Sequence, residues 1–241
     1  MANIVRLGSI FADGAQIHIG SDIKPEMKVD IRDPMEGNRP SICWVVADGK
    51  LIADRCLVTS TSFSCLKELG LVSGTPVKLN GQPYIIRMLK NNQEWIDALD
   101  AVGKDNGLWN WLGQFSFLQE GGVTPDSVAG CGGYAARGFD GSVQKDFQSQ
   151  VWGWRPVLVS MGVFFSGLQL GQLISVWGGN SLVQGKLKEI DDYDLVLQCS
   201  SIRGLCDKDI GTFAAHLPGY GYRIVINKAA VAGLKQIKSV G

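Results

Sequence analysis

The side chains that could act as nucleophiles or general bases are few and scattered along this 241-residue sequence. A nucleophilic triad needs a nucleophile, a base and a group that orients the base. The only histidines are His18, in an alternating strand-like segment, and His216, in a loop-like segment before a proline. We interpret both as ordinary surface or turn residues. The sequence therefore predicts no catalytic residues.

The cysteines do not form a metal-binding pattern either. They are Cys43, Cys56, Cys65, Cys131, Cys199 and Cys206. No two of them form a CxxC pair, and none has a histidine at the spacing of a zinc ligand. The chain begins without the apolar run of a secretory signal, so we expect reduced thiols rather than disulfides. We predict no metal and no other cofactor.

Two local patterns suggest other chemistry. Asp191, Asp192 and Asp194 could serve acid–base catalysis or calcium binding, but they lie at a predicted hairpin turn, where carboxylates solvate the turn and protect an edge strand. The segment 178–186, with three glycines before Lys186, suggests a phosphate loop. However, Lys186 is followed by leucine instead of serine or threonine. We interpret both patterns as structural.

The charge balance argues against nucleic acid as a partner. Lysine and arginine number 23, and so do aspartate and glutamate. The chain therefore has no excess positive charge with which to displace counterions from a phosphate backbone. Its most apolar segment, 157–173, is broken by serines, glycines and a glutamine, whereas a membrane helix needs about 18 continuous apolar residues. We expect no membrane insertion.

The elements that position these side chains are mainly short strands. Asp48-Gly49 and Asn80-Gly81 each follow an apolar or alternating run and predict hairpin turns. Capping residues and helical spacing predict short helices over 62–70 and 92–99. The glycine-rich segment 120–150 has little periodicity and predicts a long loop.

The segment that closes this loop combines two tryptophans with a proline. Trp152 and Trp154 are two residues apart, so they share one face of a strand, and we expect Trp154 in the core. Pro156 removes a backbone donor, so the strand should lie at a sheet edge or begin only after the Arg155-Pro156 step.

Several motifs between residues 75 and 160 occur in a recognisable order. After the Asn80-Gly81 hairpin come Glu94-Trp95, the Trp109-Asn110-Trp111 turn, Tyr-Ala-Ala-Arg-Gly-Phe at 134–139, and Gly-Trp-Arg-Pro-Val-Leu at 153–158. This order resembles the C-type lectin-like domain of the formylglycine-generating-enzyme type. That domain type recurs in phage and prophage structural proteins and in variable receptor-binding proteins, where phenylalanine stands in place of Trp154. The enzymes use a cysteine pair, whereas the last third of this segment has only Cys131, which we expect to pack against glycines.

A different pattern begins after Ser160. Three strands are predicted between 173 and 197, separated by Gly178-Gly179-Asn180 and by Asp191-Asp192, and two more between 222 and 234. The spacing is similar to the Sm-like fold, including the bacterial Hfq group, over about 171–238. The resemblance implies a five-stranded barrel that assembles into rings, and many members bind RNA. The family's Lys-His pair is missing, since Lys228 is followed by Ala229.

Loop-borne aromatic and arginine side chains are the best candidates for a partner surface, because they offer rigid contact area. Most of the tryptophans between 95 and 154 should belong to the core. The candidates for the surface are Trp109, Asn110, Tyr134, Arg137 and Phe139. In the lectin-like domains, the loop before the closing Arg-Pro strand presents the ligand-facing residues.

These observations predict an α+β, mainly β protein with three parts. They are an N-terminal β-rich extension (1–72), a C-type lectin-like domain (73–160) and an Sm-like small barrel (161–241). The leading hypothesis is a non-enzymatic phage or prophage virion protein, made in the bacterial cytoplasm. It would form homo-oligomers, such as rings, and contact other virion proteins or a cell-surface glycan or protein. The alternatives are an RNA-binding Sm-like regulator and an enzyme of the formylglycine-generating type.

Overall fold

The computed structural model describes residues 2–24, 26–35, 38–217, 219 and 221–237. The outer ends of the predicted parts, residue 1 and residues 238–241, lie outside this range. Short strands dominate the described chain and helices are few, which confirms the prediction of a mainly β, α+β protein. No helix within these residues is long and apolar enough to cross a membrane.

The described part of the first 160 residues contains fifteen strands. In chain order these are β1 (Ile4–Arg6), β2 (Ser9–Ala12), β3 (Ala15–Gln16), β4 (Ser21–Asp22), β5 (Val29–Arg32), β6 (Cys43–Ala47), β7 (Lys50–Ala53), β8 (Val58–Thr59), β9 (Thr75–Leu79), β10 (Gln82–Met88), β11 (Phe115–Phe117), β12 (Ser127–Gly132), β13 (Phe139–Gln144), β14 (Trp152–Trp154) and β15 (Pro156–Ser160). The α-helices are α1 (Phe63–Glu68), α2 (Asn92–Val102) and α3 (Asn106–Trp109).

The strands β1 to β15 form two large sheets and one small sheet. The first large sheet has the order β1-β6-β7-β15-β10-β9, the second has the order β13-β12-β11-β14-β8-β4, and the small sheet is β3-β2-β5. Each large sheet combines strands from both sides of residue 72, and one hydrophobic core includes side chains from both sides. The predicted boundary at residue 72 therefore does not divide the structure. Residues 2–160 form one N-terminal unit.

The hairpin turns and helix starts that local sequence predicts are present. Asn80 and Gly81 connect β9 to β10 with φ angles of 50° and 80°, as a tight two-residue hairpin requires. The Ser62 hydroxyl accepts a hydrogen bond from the Cys65 N–H (3.1 Å) and begins α1. The Asn91 side chain does the same for the Glu94 N–H (3.0 Å) and begins α2.

The chain changes sheets at Arg155. Strand β14 ends at Trp154 in the second sheet, and β15 begins at Pro156 in the first sheet, between β7 and β10. One of the two predicted placements of Pro156 is therefore correct, because the proline opens the strand and its missing N–H costs little. The other placement is not, because β15 lies inside the sheet and not at its edge.

The segment 120–150 is not one long loop, because it contains β12 and β13. The glycines of β12 interrupt the alternation that would predict a strand. One of them is explained by a contact in the folded structure. A Cβ atom on Gly130 would lie 2.2 Å from the Trp152 ring, so the ring needs a residue without a side chain at this point. The two strands pair antiparallel, with a bulge between Val128 and Gly130.

The C-terminal part forms a single antiparallel sheet. Its strands are β16 (Leu173–Gly178), β17 (Ser181–Ile190), β18 (Asp194–Cys199), β19 (Ala214–Leu217), β20 (Arg223–Asn227) and β21 (Gly233–Gln236). The order is β19-β20-β18-β17-β16-β21, and all six strands contribute side chains to one core. The five predicted strands are present. The sixth, β19, lies between the third and fourth predicted strands, where no strand was predicted.

The N-terminal unit and the C-terminal sheet meet at two hairpin turns. Gly49 N–H donates to the Gly179 carbonyl (2.6 Å), and Asp48 N–H donates to Asn180 Oδ1 (2.8 Å). Trp177 of β16 is buried in the core of the N-terminal unit and not in that of its own sheet. This tryptophan therefore anchors one unit in the other.

Candidate functional site

Arg155 lies at the centre of the N-terminal unit and is completely buried. Its Nε donates to Ser116 Oγ (2.8 Å), and its Nη1 donates to the carbonyls of Trp109 (2.7 Å) and Ala53 (3.1 Å). The guanidinium also lies 5.1 Å from the centre of the Trp95 ring. Burial lowers the pKa of Arg155, although arginine remains protonated in proteins. Its donors are used to join two sheets to the turn that follows α3.

Two buried thiols flank this arginine. Cys56 Sγ lies 3.4 Å from Ser116 Oγ, and Cys131 is opposite Ser116 in the pairing of β11 with β12. Burial raises the pKa of both Cys56 and Cys131, more than the positive charge of Arg155 lowers it. Both thiols are therefore protonated at neutral pH, which is the opposite of an activated nucleophile.

The other residues considered for chemistry also have structural contacts. His216 is exposed on β19, and its Nε2 lies 2.7 Å from the Gly221 carbonyl. Asp191 Oδ1 accepts hydrogen bonds from the N–H groups of Tyr193 (2.7 Å) and Asp194 (2.8 Å), which fold the turn and lower the pKa of Asp191. Across the described ranges, no group of three or more His, Cys, Asp or Glu side chains could hold a metal ion.

Trp109 is not part of the surface, in contrast to the sequence-based prediction. It is fully buried as the last residue of α3, and its ring meets the Trp95 ring edge-on at 5.0 Å between centroids. Its indole Nε1 donates to the Gly103 carbonyl (2.7 Å), so even its polar atom is used internally. The large apolar ring gains more from this pocket than from exposure to water.

Asn110 is half-buried and has a structural role. It adopts the left-handed conformation (φ 47°) that ends α3, and its N–H donates to the Asn106 carbonyl (2.8 Å). Its side-chain amide donates to the Asp54 carbonyl (3.4 Å). Its polar groups therefore hold the turn in place, and little of it faces a partner.

Tyr134 and Arg137 lie together in an exposed turn between β12 and β13. Tyr134 is 88% exposed, and Arg137 forms an ion pair with Asp100 of α2. The turn is fixed from inside, because Trp95 Nε1 donates to the Ala136 carbonyl (2.7 Å) and Gly132 N–H donates to the Gly138 carbonyl (3.0 Å). The exposed side chains of this turn therefore project from a fixed backbone.

Two further exposed side chains, which the sequence-based prediction missed, belong to segments linked by backbone contacts to the residues beside Tyr134. Leu112, 63% exposed, bridges to Gly133, and Val151, 45% exposed, accepts the Phe115 N–H on its carbonyl (2.7 Å). The Tyr134 ring meets the Phe115 ring edge-on at 5.6 Å. We call the exposed Tyr134 ring and the buried Phe115 ring beneath it the Tyr134 patch. Leucine and valine carry no local signal of exposure, which is why the sequence did not indicate them.

Phe139 lies apart from this patch, at the start of β13. It is about half exposed and shares its neighbourhood with Val123, since a Cβ atom on Gly141 would lie 3.3 Å from the Phe139 ring and 3.1 Å from Val123. Of the five predicted surface residues, Trp109 and Asn110 have structural roles, and Tyr134 and Arg137 share one exposed turn. Phe139 lies elsewhere, beside Val123.

Two clefts of the described surface are lined by residues outside the Tyr134 patch. A cleft of about 280 Å³ lies between the end of α2 and the segment Arg203–Asp207. Another, of about 340 Å³, lies between α1 and the start of β12, with Lys67 and Lys145 at its rim.

No protein-family model matches the sequence, and no match is found among curated proteins or among solved structures. The architecture defines the class as an α+β, mainly β protein.

Proposed function

We propose that the protein is a non-enzymatic structural component of a phage or prophage virion. In this proposal the N-terminal unit displays a contact surface, and the C-terminal sheet assembles with other copies. The observation that carries the proposal is the Tyr134 patch, where an 88% exposed tyrosine stands on a fixed, buried aromatic base. The buried polar groups around Arg155 are used in structural hydrogen bonds, so the most distinctive surface feature suits contact and not chemistry.

The arrangement of the N-terminal unit supports the lectin-like part of the proposal. The hairpin of β9 and β10, the helix α2, the tryptophan turn and the closing strand follow one another as the resemblance implies, and β15 pairs with β10. Residues 2–72 complete the same two sheets, so such a domain would extend to the start of the described chain.

The C-terminal sheet supports the assembly part. Its five predicted strands have the spacing of an Sm-like barrel and share one core. Strand β19 ends the sheet and pairs only with β20 among the described strands. An edge strand exposes unpaired N–H and C=O groups, which a second copy can use.

Two measurements test the proposal. Sedimentation of the purified chain at micromolar concentration should show a discrete oligomer, and a strict monomer would contradict the assembly part. Mass spectrometry of particles purified after prophage induction in the source bacterium should detect the chain in stoichiometric amounts. If the chain stays in the soluble fraction and is absent from particles, the virion assignment is wrong.

A further inference from the structure

We infer that the cleft between the end of α2 and the segment Arg203–Asp207 is a binding site for a free aliphatic α-amino acid. The cleft is separate from the Tyr134 patch and from the edge strand β19. A small-molecule site here goes beyond the proposed function, which does not depend on it.

The cleft lies where the two parts of the molecule meet. The end of α2 and Asn3 line it on the side of the N-terminal unit, and Asn180 and Arg203–Asp207 line it on the side of the C-terminal sheet. Ligand sites are common at such junctions between domains. The volume of about 280 Å³ is close to the lower limit of roughly 300 Å³ for clefts that take drug-sized ligands, so the ligand should be smaller than a drug.

The wall on the side of the C-terminal sheet is held in place by a buried carboxylate. Asp209 is 8% exposed, and its Oδ2 accepts hydrogen bonds from the Asn180 N–H (2.8 Å) and the Ser181 hydroxyl (2.6 Å). The Ser181 oxygen in turn accepts a hydrogen bond from the Cys206 N–H (2.8 Å). Across the junction, the Asn3 side chain donates to the Asn180 carbonyl (2.7 Å). These bonds fix the backbone around the cleft, so a ligand meets a preformed wall.

Two charged side chains of opposite sign line this wall. Arg203 and Asp207 are exposed, and among the residues that the structure describes neither side chain has a hydrogen-bond or ion-pair partner. A guanidinium binds a carboxylate through two parallel hydrogen bonds, and a carboxylate accepts hydrogen bonds from an ammonium group. The opposite wall adds negative potential, because α2 ends there without a basic residue of its own in its last turn. The cleft therefore offers one partner for a carboxylate and another for an ammonium group.

The remaining lining is largely aliphatic. Its half-buried apolar residues are Ala2, Ala101, Val102 and Leu205. Their side chains have no polar atom, so they suit the side chain of an aliphatic amino acid, whose burial adds to binding. A free amino acid such as leucine carries the carboxylate, the ammonium group and the apolar chain in one small molecule. Because so small a ligand makes few contacts, we expect a Kd of about 1 mM.

The thiol of Cys206 gives a direct readout of occupancy, because Cys206 lines the cleft. Cys206 and Cys43 are half-buried, whereas the other four cysteines are buried. N-ethylmaleimide should therefore react at these two positions of the native full chain, and peptide mass spectrometry measures both rates. With L-leucine at about 20 mM, the reaction at Cys206 should be slowed about tenfold or more, since the free fraction is 1/(1 + [L]/Kd). Cys43 lies outside the cleft and should react at an unchanged rate.

Analogues and charge variants test the two charged contacts. N-acetyl-L-leucine lacks the ammonium group and L-leucinamide lacks the carboxylate, so each should protect Cys206 much less than L-leucine does. Arg203→Gln and Asp207→Asn should each weaken the binding of L-leucine about tenfold, as for the loss of a charged hydrogen bond. Asp192→Asn changes an exposed aspartate on the turn between β17 and β18 and should bind like the wild type. Circular dichroism should show that all three variants are folded.

Three results would overturn the inference. They are an unchanged rate at Cys206 in L-leucine, equal protection by L-leucine and both analogues, and equal slowing at Cys43. None of them is compatible with a site in the cleft that binds both charges. The sedimentation and particle measurements test the proposed function separately, because neither depends on what occupies the cleft.

Discussion

Replacing Arg155 with methionine should lower the free energy of unfolding of the N-terminal unit by about 2–5 kcal/mol, the balance between lost hydrogen bonds and recovered desolvation. Methionine fills much of the same volume but donates no hydrogen bond. The carbonyls of Trp109 and Ala53 and the hydroxyl of Ser116 would lose their buried donor. The contact with the Trp95 ring would lose its positive charge as well.

The magnitude follows from two opposing effects. Three hydrogen bonds from a charged donor contribute about 1.5–3 kcal/mol each, for a gross loss of roughly 5–9 kcal/mol. Removing the buried charge recovers a desolvation cost of several kcal/mol, which reduces the net loss to about 2–5 kcal/mol. Even about 2 kcal/mol is a large part of the roughly 5–15 kcal/mol that stabilises a typical domain.

Urea unfolding followed by tryptophan fluorescence and by circular dichroism measures this loss. Arg203→Met is the matched control, because Arg203 is exposed and its loss should change stability by less than about 0.5 kcal/mol. Arg155→Lys should be intermediate, since an ammonium group keeps the charge but cannot reach carbonyls in different directions. A value for Arg155→Met within 1 kcal/mol of the control would refute a central structural role for the guanidinium.

Three further predictions concern single contacts. Burial alone would raise the pKa of Glu94, but the hydrogen bonds from Arg87 and the Lys90 N–H, with the charges of Arg87 and Lys50, lower it. The ionised Glu94 therefore stabilises the fold above the ordinary carboxyl pKa, and this contribution is lost as the pH falls. Glu94→Gln should make stability less dependent on pH in the acid range, and an unchanged dependence would contradict this. Gly130→Ala should lower the free energy of unfolding in urea by about 1–3 kcal/mol, because the added Cβ would meet the Trp152 ring. Gly14→Ala serves for comparison: no atom lies within 4 Å of its Cβ position, so it should cost only the strain of a side chain at a positive φ. Trp177→Ala should cost about 3–5 kcal/mol and separate unfolding into two transitions, whereas a single unchanged transition would show that the units are coupled elsewhere.

Local interactions explain the parts of the fold that could be predicted from the sequence. Asn80-Gly81 specifies a hairpin because these residues accept positive φ angles, and Ser62 begins a helix because its hydroxyl reaches an N–H three residues ahead. The alternation and turn residues of 173–197 indicated three strands for the same reason. All these signals act within a few residues of the chain.

The site was predicted only in part, because exposure is not a property of residue type. Tyr134 and Trp109 are both loop-borne aromatics in the sequence, yet one is 88% exposed and the other is buried against Trp95. Phe115 lies under the Tyr134 ring only because β11 pairs with β12, which leads into the Tyr134 turn.

The sequence by itself determined the mainly β class, the hairpins, the helix starts and the neutral charge. Only the tertiary structure decided that residues 2–160 form one unit, that β12 and β13 are strands, and that Arg155 lies buried at the crossing between two sheets. The physical reason is that pairing of distant strands and burial of a side chain depend on what the rest of the chain places opposite them. Gly130 shows this directly, since it weakens the strand pattern in the sequence but is the residue that the Trp152 ring requires.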